Sequence, residues 1–227
     1  MSLTKIPNRT DYVDEVYKSL LDAISAGVLA PGERITQEDL AEKLNVSRSP
    51  VLQALRLLKK DGLLEEGPGR GLVVAQLDPI RIGHLYQVRG SLDALAARLA
   101  SLRNAKIPLS LIEAGKKASA DNDVNALIEA DSAFHKAIYE ASGNPFIVET
   151  AMLHWIHLRR VMGAVHQRQL GRSGIWDEHA AIVQAIHDGN SELAASLSEK
   201  HTDRARESLV PNLSGIDSQL MHRLKIS

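Results

Sequence analysis

The sequence predicts a mainly α chain, with an N-terminal winged helix-turn-helix domain at residues 1–77 and a C-terminal all-α helical bundle at residues 78–227. Three observations predict it. Three amphipathic segments and a glycine-rich hairpin precede Leu77-Asp78-Pro79, strand signals stop after it, and 227 residues suffice for two modest domains. Apolar residues make up 44% and charged residues 24%, the balance of an ordinary globular chain rather than a disordered or fibrous one. With 27 Lys and Arg against 28 Asp and Glu, a nucleic-acid surface has to be a local patch. The absence of cysteine excludes a disulfide framework, a thiol nucleophile and a Cys-ligated metal, and suits a reducing cytoplasm. No apolar run reaches about 18 residues and MSLTKIPNRT lacks an apolar export core, so neither membrane insertion nor export is expected.

In order along the chain, Val13, Val16, Tyr17, Leu20, Leu21 and Ile24 repeat at helical spacing, with Thr10 and Asp11 placed to start the helix and Gly27 to end it. Pro31-Gly32 turns the chain. Thr36, three residues before Asp39, can cap a second helix through Leu40, Ala41 and Leu44. Asn45 tolerates the left-handed backbone needed to leave it, and Ser47 can cap a third helix that buries Val51, Ala54, Leu55 and Leu58. Pro50 falls in the first turn of that helix, where a missing amide hydrogen does no harm. Leu63–Glu66 and Gly71–Ala75 read as two strands around Gly67-Pro68-Gly69-Arg70. Beyond Pro79 helices are expected near 80–103, 108–119, 123–141, 145–170, 175–188 and 191–209, with no clear assignment for the last 15 or so residues.

Between Lys43 and Lys60 lie five basic residues, Lys43, Arg48, Arg56, Lys59 and Lys60, and no acidic one. With the apolar stripe turned inward, the third helix offers Arg48, Ser49, Leu52, Gln53 and Arg56 to a groove, and Arg suits guanine edges and phosphates while Gln suits adenine. Arg70 and Gly71 at the hairpin tip could meet backbone or minor groove. A basic face is also compatible with simple solvation. The glycines of the hairpin are not followed by Gly-Lys-Ser/Thr and a helix, so they do not form a phosphate cradle.

In the second part, polar groups lie on apolar helical stripes. Asp131 and His135 share one with Leu127, Phe134 and Ile138; His179 shares one with Ile175, Ile182, Val183 and Ile186; His201 shares one with Leu193, Leu197, Ala205 and Leu209. Burying a carboxylate and three imidazoles without partners would cost several kcal/mol. Either a shared metal ion or mutual hydrogen bonds would remove that cost. An acid four residues before a histidine is expected about once by chance in this composition, so spacing does not choose between them. His154, His157 and His166 lie on less apolar stripes and read as surface or supporting residues.

The run from Ala30-Pro31-Gly32-Glu33-Arg34-Ile35, through Leu40-Ala41-Glu42-Lys43-Leu44-Asn45-Val46-Ser47-Arg48-Ser49-Pro50-Val51, to Asp61-Gly62-Leu63-Leu64 and Gly69-Arg70-Gly71 closely resembles the DNA-binding domain of GntR-family bacterial transcription regulators. The resemblance implies operator contacts by Ser47 and Arg48 with Gly71 in the wing, and places Arg34 with the DNA-binding set. The family usually has Arg then Glu after Pro-Val, whereas this chain has Leu52 and Gln53, which departs from the usual operator reading. Val88-Arg89, Leu92-Asp93, Asp131, Phe134-His135, Gly143-Asn144, Glu178-His179 and His201 follow the order of the FadR-like branch with an all-α FCD-type ligand domain. In metal-binding members the matching Asp and three His hold a divalent ion, and an organic-acid effector completes its coordination. That implies metal ligation by Asp131, His135, His179 and His201, and effector binding by Arg89; Asp93 stands where Glu is commoner. Such ligands suit zinc or nickel.

The expected function is thus a ligand-responsive regulator, a homodimeric repressor on a double-stranded DNA operator, modulated by a small organic acid such as a sugar acid, hydroxy acid or dicarboxylate. The alternative is a metal-dependent hydrolase using the Asp/His site. It lacks a His-Glu-x-x-His segment and a clearly offered general base.

Overall fold

The computed structural model describes residues 12–67, 69, 71–166 and 174–224, with side chains described up to residue 165 and from 174 to 213. Thr10 and Asp11 as helix starters, Arg70 at the hairpin tip, and the 167–170 end of the expected 145–170 helix lie outside the described residues. The chain divides into two compact units, Met1–Gln76 and Leu77–Ser227.

The first unit runs α1 (Tyr12–Ser25), β1 (Arg34–Ile35), α2 (Gln37–Lys43), α3 (Arg48–Lys60), β2 (Leu64–Glu66) and β3 (Leu72–Val74). Val16, Leu20, Leu21 and Ile24 of α1 meet the buried stripe of Val51, Ala54, Leu55 and Leu58 on α3, and Leu63, Leu64 and Val74 close the core. The three strands form an antiparallel sheet in the order β1-β3-β2, with Ile35 opposite Leu72 and Leu64 opposite Val74. β1 was not anticipated, because two residues are too few to show alternation. Thr36 caps α2 by accepting from the Asp39 amide, and Asn45 leaves that helix at φ 51°. Ser47 stands at the N-cap of α3 in extended backbone, but its side chain makes no capping hydrogen bond. The hydroxyl expected to cap is exposed instead.

The second unit is helical: α4 (Pro79–Leu102), α5 (Ser110–Ala120), α6 (Val124–Ala141), α7 (Pro145–His166), α8 (Ile175–His187) and α9 (Ser191–Leu224). Asp78 caps α4 by accepting from the Ile80 and Arg81 amides, and Asp123 caps α6 through Ala126. α4 packs along α9 and also touches α6, α7 and α8, which makes it the axis of the bundle. Ala96, Ala97 and Ala100 let neighbours approach it closely in a core with Phe134, Ile138, Ile182 and Ile186, while Tyr86, Trp155, Leu158 and Leu213 belong to a second cluster. Gly115 of α5 is required for close packing, since a Cβ there would lie 2.0 Å from the Trp176 ring of α8.

Two expectations fail at α9. The helix does not stop near 209 but continues to Leu224 with Pro211 inside it. The stripe runs on through buried Leu209 and Leu213, and Pro211 forfeits a single backbone donor while lying on the exposed side. Leu193, expected beside His201, is 45% exposed. Eight residues at 100° each leave it about 80° off the His201 direction, whereas Ala194, seven away, comes within about 20° and is buried.

Candidate functional sites

Asp131 and His135 come from consecutive turns of α6, His179 from the first half of α8, and His201 from the middle of α9. All four are buried, and one ligand atom from each lies within 4.8 Å of the others. His179 Nε2 is 3.1 Å from His201 Nε2 and 3.5 Å from Asp131 Oδ1, and His135 Nε2 is 3.8 Å from Asp131 Oδ1. Donors about 2.1 Å from one ion would stand roughly 3–3.5 Å apart, so the cluster has the span of a coordination shell. His135 Nε2 is buried with no hydrogen-bond partner among the described residues, an orphan that a cation would satisfy. Burial first, then Arg89, His179 and His201, hold the His135 imidazole well below its ordinary pKa, hence in the neutral form that ligates metal.

A ring of supporting side chains surrounds the ligands. Glu178 Oε2 lies 2.9 Å from His201 Nδ1 and its other oxygen accepts from Arg204 at 2.8 Å, which leaves Nε2 of His201 to face the cluster. Asp93 of α4 accepts from the Tyr139 hydroxyl at 2.5 Å and the Thr202 hydroxyl at 2.9 Å, and sits 3.6 Å from His135 Nδ1. Arg89, one turn before, is 6% exposed; its Nε is 3.3 Å from Asp93 and its Nη2 3.9 Å from Asp131, and neither nitrogen closes a hydrogen bond. Its guanidinium lies over the Trp155 ring at 4.9 Å. Burial would lower the Arg89 pKa, but Asp93, Tyr139 and Asp131 outweigh it and the group stays charged. Beside Arg89 lies a small hollow of about 10 Å³, room for about one water, walled by Leu85, Leu92, Ala151 and Leu158 with Tyr139 and His154.

Periodicity turned the four residues of the cluster inward and missed this ring. Glu178 enters only within the Glu178-His179 pair of the resemblance, since its partner is 23 positions away, and nothing local singles out Tyr139 or Thr202. Only the resemblance brought Arg89 and Asp93 forward. His154, read as a surface or supporting residue, is half-buried and lines the hollow beside Arg89.

In the first unit, Ser47, Arg48, Ser49, Leu52, Gln53 and Arg56 are all exposed along α3. Gln53 Nε2 donates to Ser49 Oγ at 3.4 Å, and Gln37 Nε2 donates to the Arg48 carbonyl at 2.7 Å, tying α2 to the start of α3. The basic run is less bare than its sequence suggests. Arg48 pairs with Glu38 at 3.1 Å, Lys43 with Asp39 at 3.2 Å, and Lys59 with Glu66 at 2.7 Å. These exposed pairs hold little energy, so a phosphate can displace the carboxylates. Arg34 on β1 lies along the Gly71 backbone, where a Cβ would stand 3.4 Å from Arg34 Nε. The sheet thus brings Arg34 and Gly71 together, while Arg70 lies outside the described residues.

Comparison with known proteins agrees across both units. Residues 12–74 match the bacterial regulatory proteins of the gntR family, and residues 84–204 match the FCD domain. The HTH-type transcriptional regulator YdhC of Bacillus subtilis (strain 168) is 28% identical over 198 residues, covering 84% of this chain and 87% of its own. The Glc operon transcriptional activator of Escherichia coli (strain K12) is 28% identical over 228 residues, covering 88% and 90%. The solved structure of E. coli McbR/YncC superposes with a TM-score of 0.76 at 20% identity over 90% of this chain and 99% of that one, which shows the fold. Nothing among these relatives supports the hydrolase alternative. The chain belongs to the GntR family of DNA-binding transcription regulators, with an FCD domain as its second unit.

Proposed function

We propose that this regulator is a cytoplasmic homodimer that reads a pseudo-palindromic operator through α3 and the hairpin, and that a divalent ion with a small carboxylic acid in the FCD domain sets its operator affinity. The observation that carries the reading is the buried Asp131, His135, His179 and His201 cluster with an orphaned His135 Nε2, next to a buried Arg89 whose Nε and Nη2 close no hydrogen bond. Four donors of this kind suit zinc or nickel, which would polarise and orient a bound carboxylate. Arg89 supplies a fixed positive fork for the same anion, Asp93 and Trp155 hold that fork in place, and Glu178 holds His201. Ser47, Arg48, Ser49, Gln53, Arg56, Arg34, Arg70 and Gly71 form the proposed DNA surface.

The regulatory sign proposed is repression; the relative named as an activator gives transcription in vitro a clear alternative to test. The acid shifts operator affinity by no more than its preference between DNA-binding arrangements, typically about 5–150-fold. Footprinting of the protein's own upstream region, with and without metal and candidate acids, tests the whole reading. In the same assay Arg48→Ala should weaken binding and make the salt dependence shallower by about 0.9 in log K against log salt. An unchanged slope would remove Arg48 from the phosphate contacts.

A further inference from the structure

An apolar side chain stands among the polar groups that α3 offers to DNA. Leu52, in the second turn of that helix, is 38% exposed, while Val51, Ala54, Leu55 and Leu58 are buried. Side chains three and four positions apart are neighbours on a helix surface. For Leu52 these are Arg48 and Ser49 on one side and Arg56 on the other, all exposed, with Leu55 turned into the core. Arg48 reaches to Glu38 of α2 at 3.1 Å and Gln53 donates to Ser49 at 3.4 Å, so the isobutyl group stays partly in water between two guanidinium groups. Leu57, in the last turn of α3, has the same 38% exposure. Five residues at 100° each turn it about 140° away from Leu52 and set it about 7.5 Å further along the axis. The N-terminal part of such a helix is what reaches base edges, which makes the two leucines a matched pair, one inside the proposed interface and one outside it.

Docking in a major groove takes water away from Leu52 and from the base edge that it covers. Guanine, adenine and cytosine present ring nitrogens, carbonyl oxygens and amino groups there, and each loses a partner under an isobutyl group. Thymine presents a C5-methyl group, the apolar feature of the major groove. Setting Leu52 against it removes two apolar surfaces from water together. Arg48 and Arg56 on either side suit phosphates and guanine edges, so the leucine adds an apolar contact between polar ones.

We infer that Leu52 is a specificity-determining residue that reads the C5-methyl group of one thymine in each operator half-site. The inference rests on the proposed reading of α3 as the helix that enters the groove, and it adds the identity of a base to that reading.

The test starts from duplexes that the full-length protein enriches from a random library, both with zinc and after chelation. Each thymine of an enriched duplex is then replaced in turn by deoxyuridine, which removes the methyl group and keeps every hydrogen-bonding group. At one thymine per half-site the replacement should weaken binding by about fourfold, the worth of one buried methyl group. Leu52→Ala should bind the thymine and deoxyuridine duplexes alike, with Leu52→Ser serving the same purpose should the first variant fold poorly. Leu57→Ala should keep the difference, and Leu52→Arg should enrich guanine at that position. Binding that ignores every methyl group, or a methyl effect that survives in Leu52→Ala, overturns the inference. The α3 reading still stands in that case if Arg48→Ala weakens binding. Failure to enrich any duplex under either condition overturns both.

Discussion

The two units place function at opposite depths. On α3 the side chains proposed to meet DNA are exposed, and the core beneath them, Val51, Ala54, Leu55 and Leu58, is built without them. In the FCD domain Asp131, His135, His179, His201, Arg89 and Asp93 are all buried and are themselves part of the packing. Function and stability should therefore separate in the first unit and travel together in the second. A buried charge cluster cannot lose one of its members quietly.

The strongest way to break this contrast is Arg89→Ala. It leaves Asp93 and Asp131 buried with less compensation, and removing one partner of a buried ion pair costs about 3–5 kcal/mol. Both tryptophans, Trp155 and Trp176, lie in the second unit, so urea unfolding followed by tryptophan emission reads that unit alone. Arg48→Ala, on an exposed face, should move the stability of the first unit, read by amide exchange in α1 and α3, by less than about 0.5 kcal/mol. Equal effects from the two substitutions would abolish the distinction.

Metal comes next. At a zinc or nickel concentration a hundred times its Kd, a ligand that binds only the folded state adds about 2.7 kcal/mol to stability. That increment should appear in the tryptophan-detected transition, vanish on chelation, and be absent in His179→Ala. An equal increment in His179→Ala would return the four residues to a hydrogen-bonded core without metal.

Acid pH should separate the units more gently. The first unit contains no histidine, and all nine of the chain lie beyond residue 76. Burial, with Arg89 and two other imidazoles, depresses the His135 pKa in the folded protein. The unfolded chain therefore binds a proton below about pH 6.5 that the folded chain refuses, and stability of the metal-free second unit falls as pH drops through that range. One histidine contributes at most about 1.4 kcal/mol per pH unit. His135→Gln should make the slope shallower, while the opening free energies of α1 and α3, from amide exchange corrected for the intrinsic rate at each pH, should not change between pH 7 and 5.

The same contrast explains how much of each unit is legible in the sequence. In the first unit the signals are local: Thr36 three residues from the amide it caps, Asn45 at a left-handed turn, and α3 showing its polar face at helical spacing. In the second, periodicity identifies which faces turn inward but not what they meet. His179 and His201 are 22 positions apart, and Asp93 and Thr202 are 109 apart. Packing of α4 along α9 brings them together, and no local pattern states it. The same limit hid β1, which exists only because β3 pairs with it, and the tail of α9, where Pro211 masks a stripe that continues to Leu213.

The smallest expected effect decides what Ser47 is for. A serine at a helix N-cap ordinarily accepts from a first-turn amide, and its loss then costs about 1 kcal/mol. Here the residue occupies the cap position with its hydroxyl exposed and uncommitted to α3, while Gln37 braces that end of the helix through the Arg48 carbonyl. Ser47→Ala should accordingly leave α3 amide exchange within about 0.5 kcal/mol of the parent and still weaken operator binding. Weaker binding with unchanged stability fits a hydroxyl facing DNA. A stability loss of a full kcal/mol with proportionate loss of binding would make Ser47 a cap after all, and the separation of function from stability in the first unit would fail at that residue.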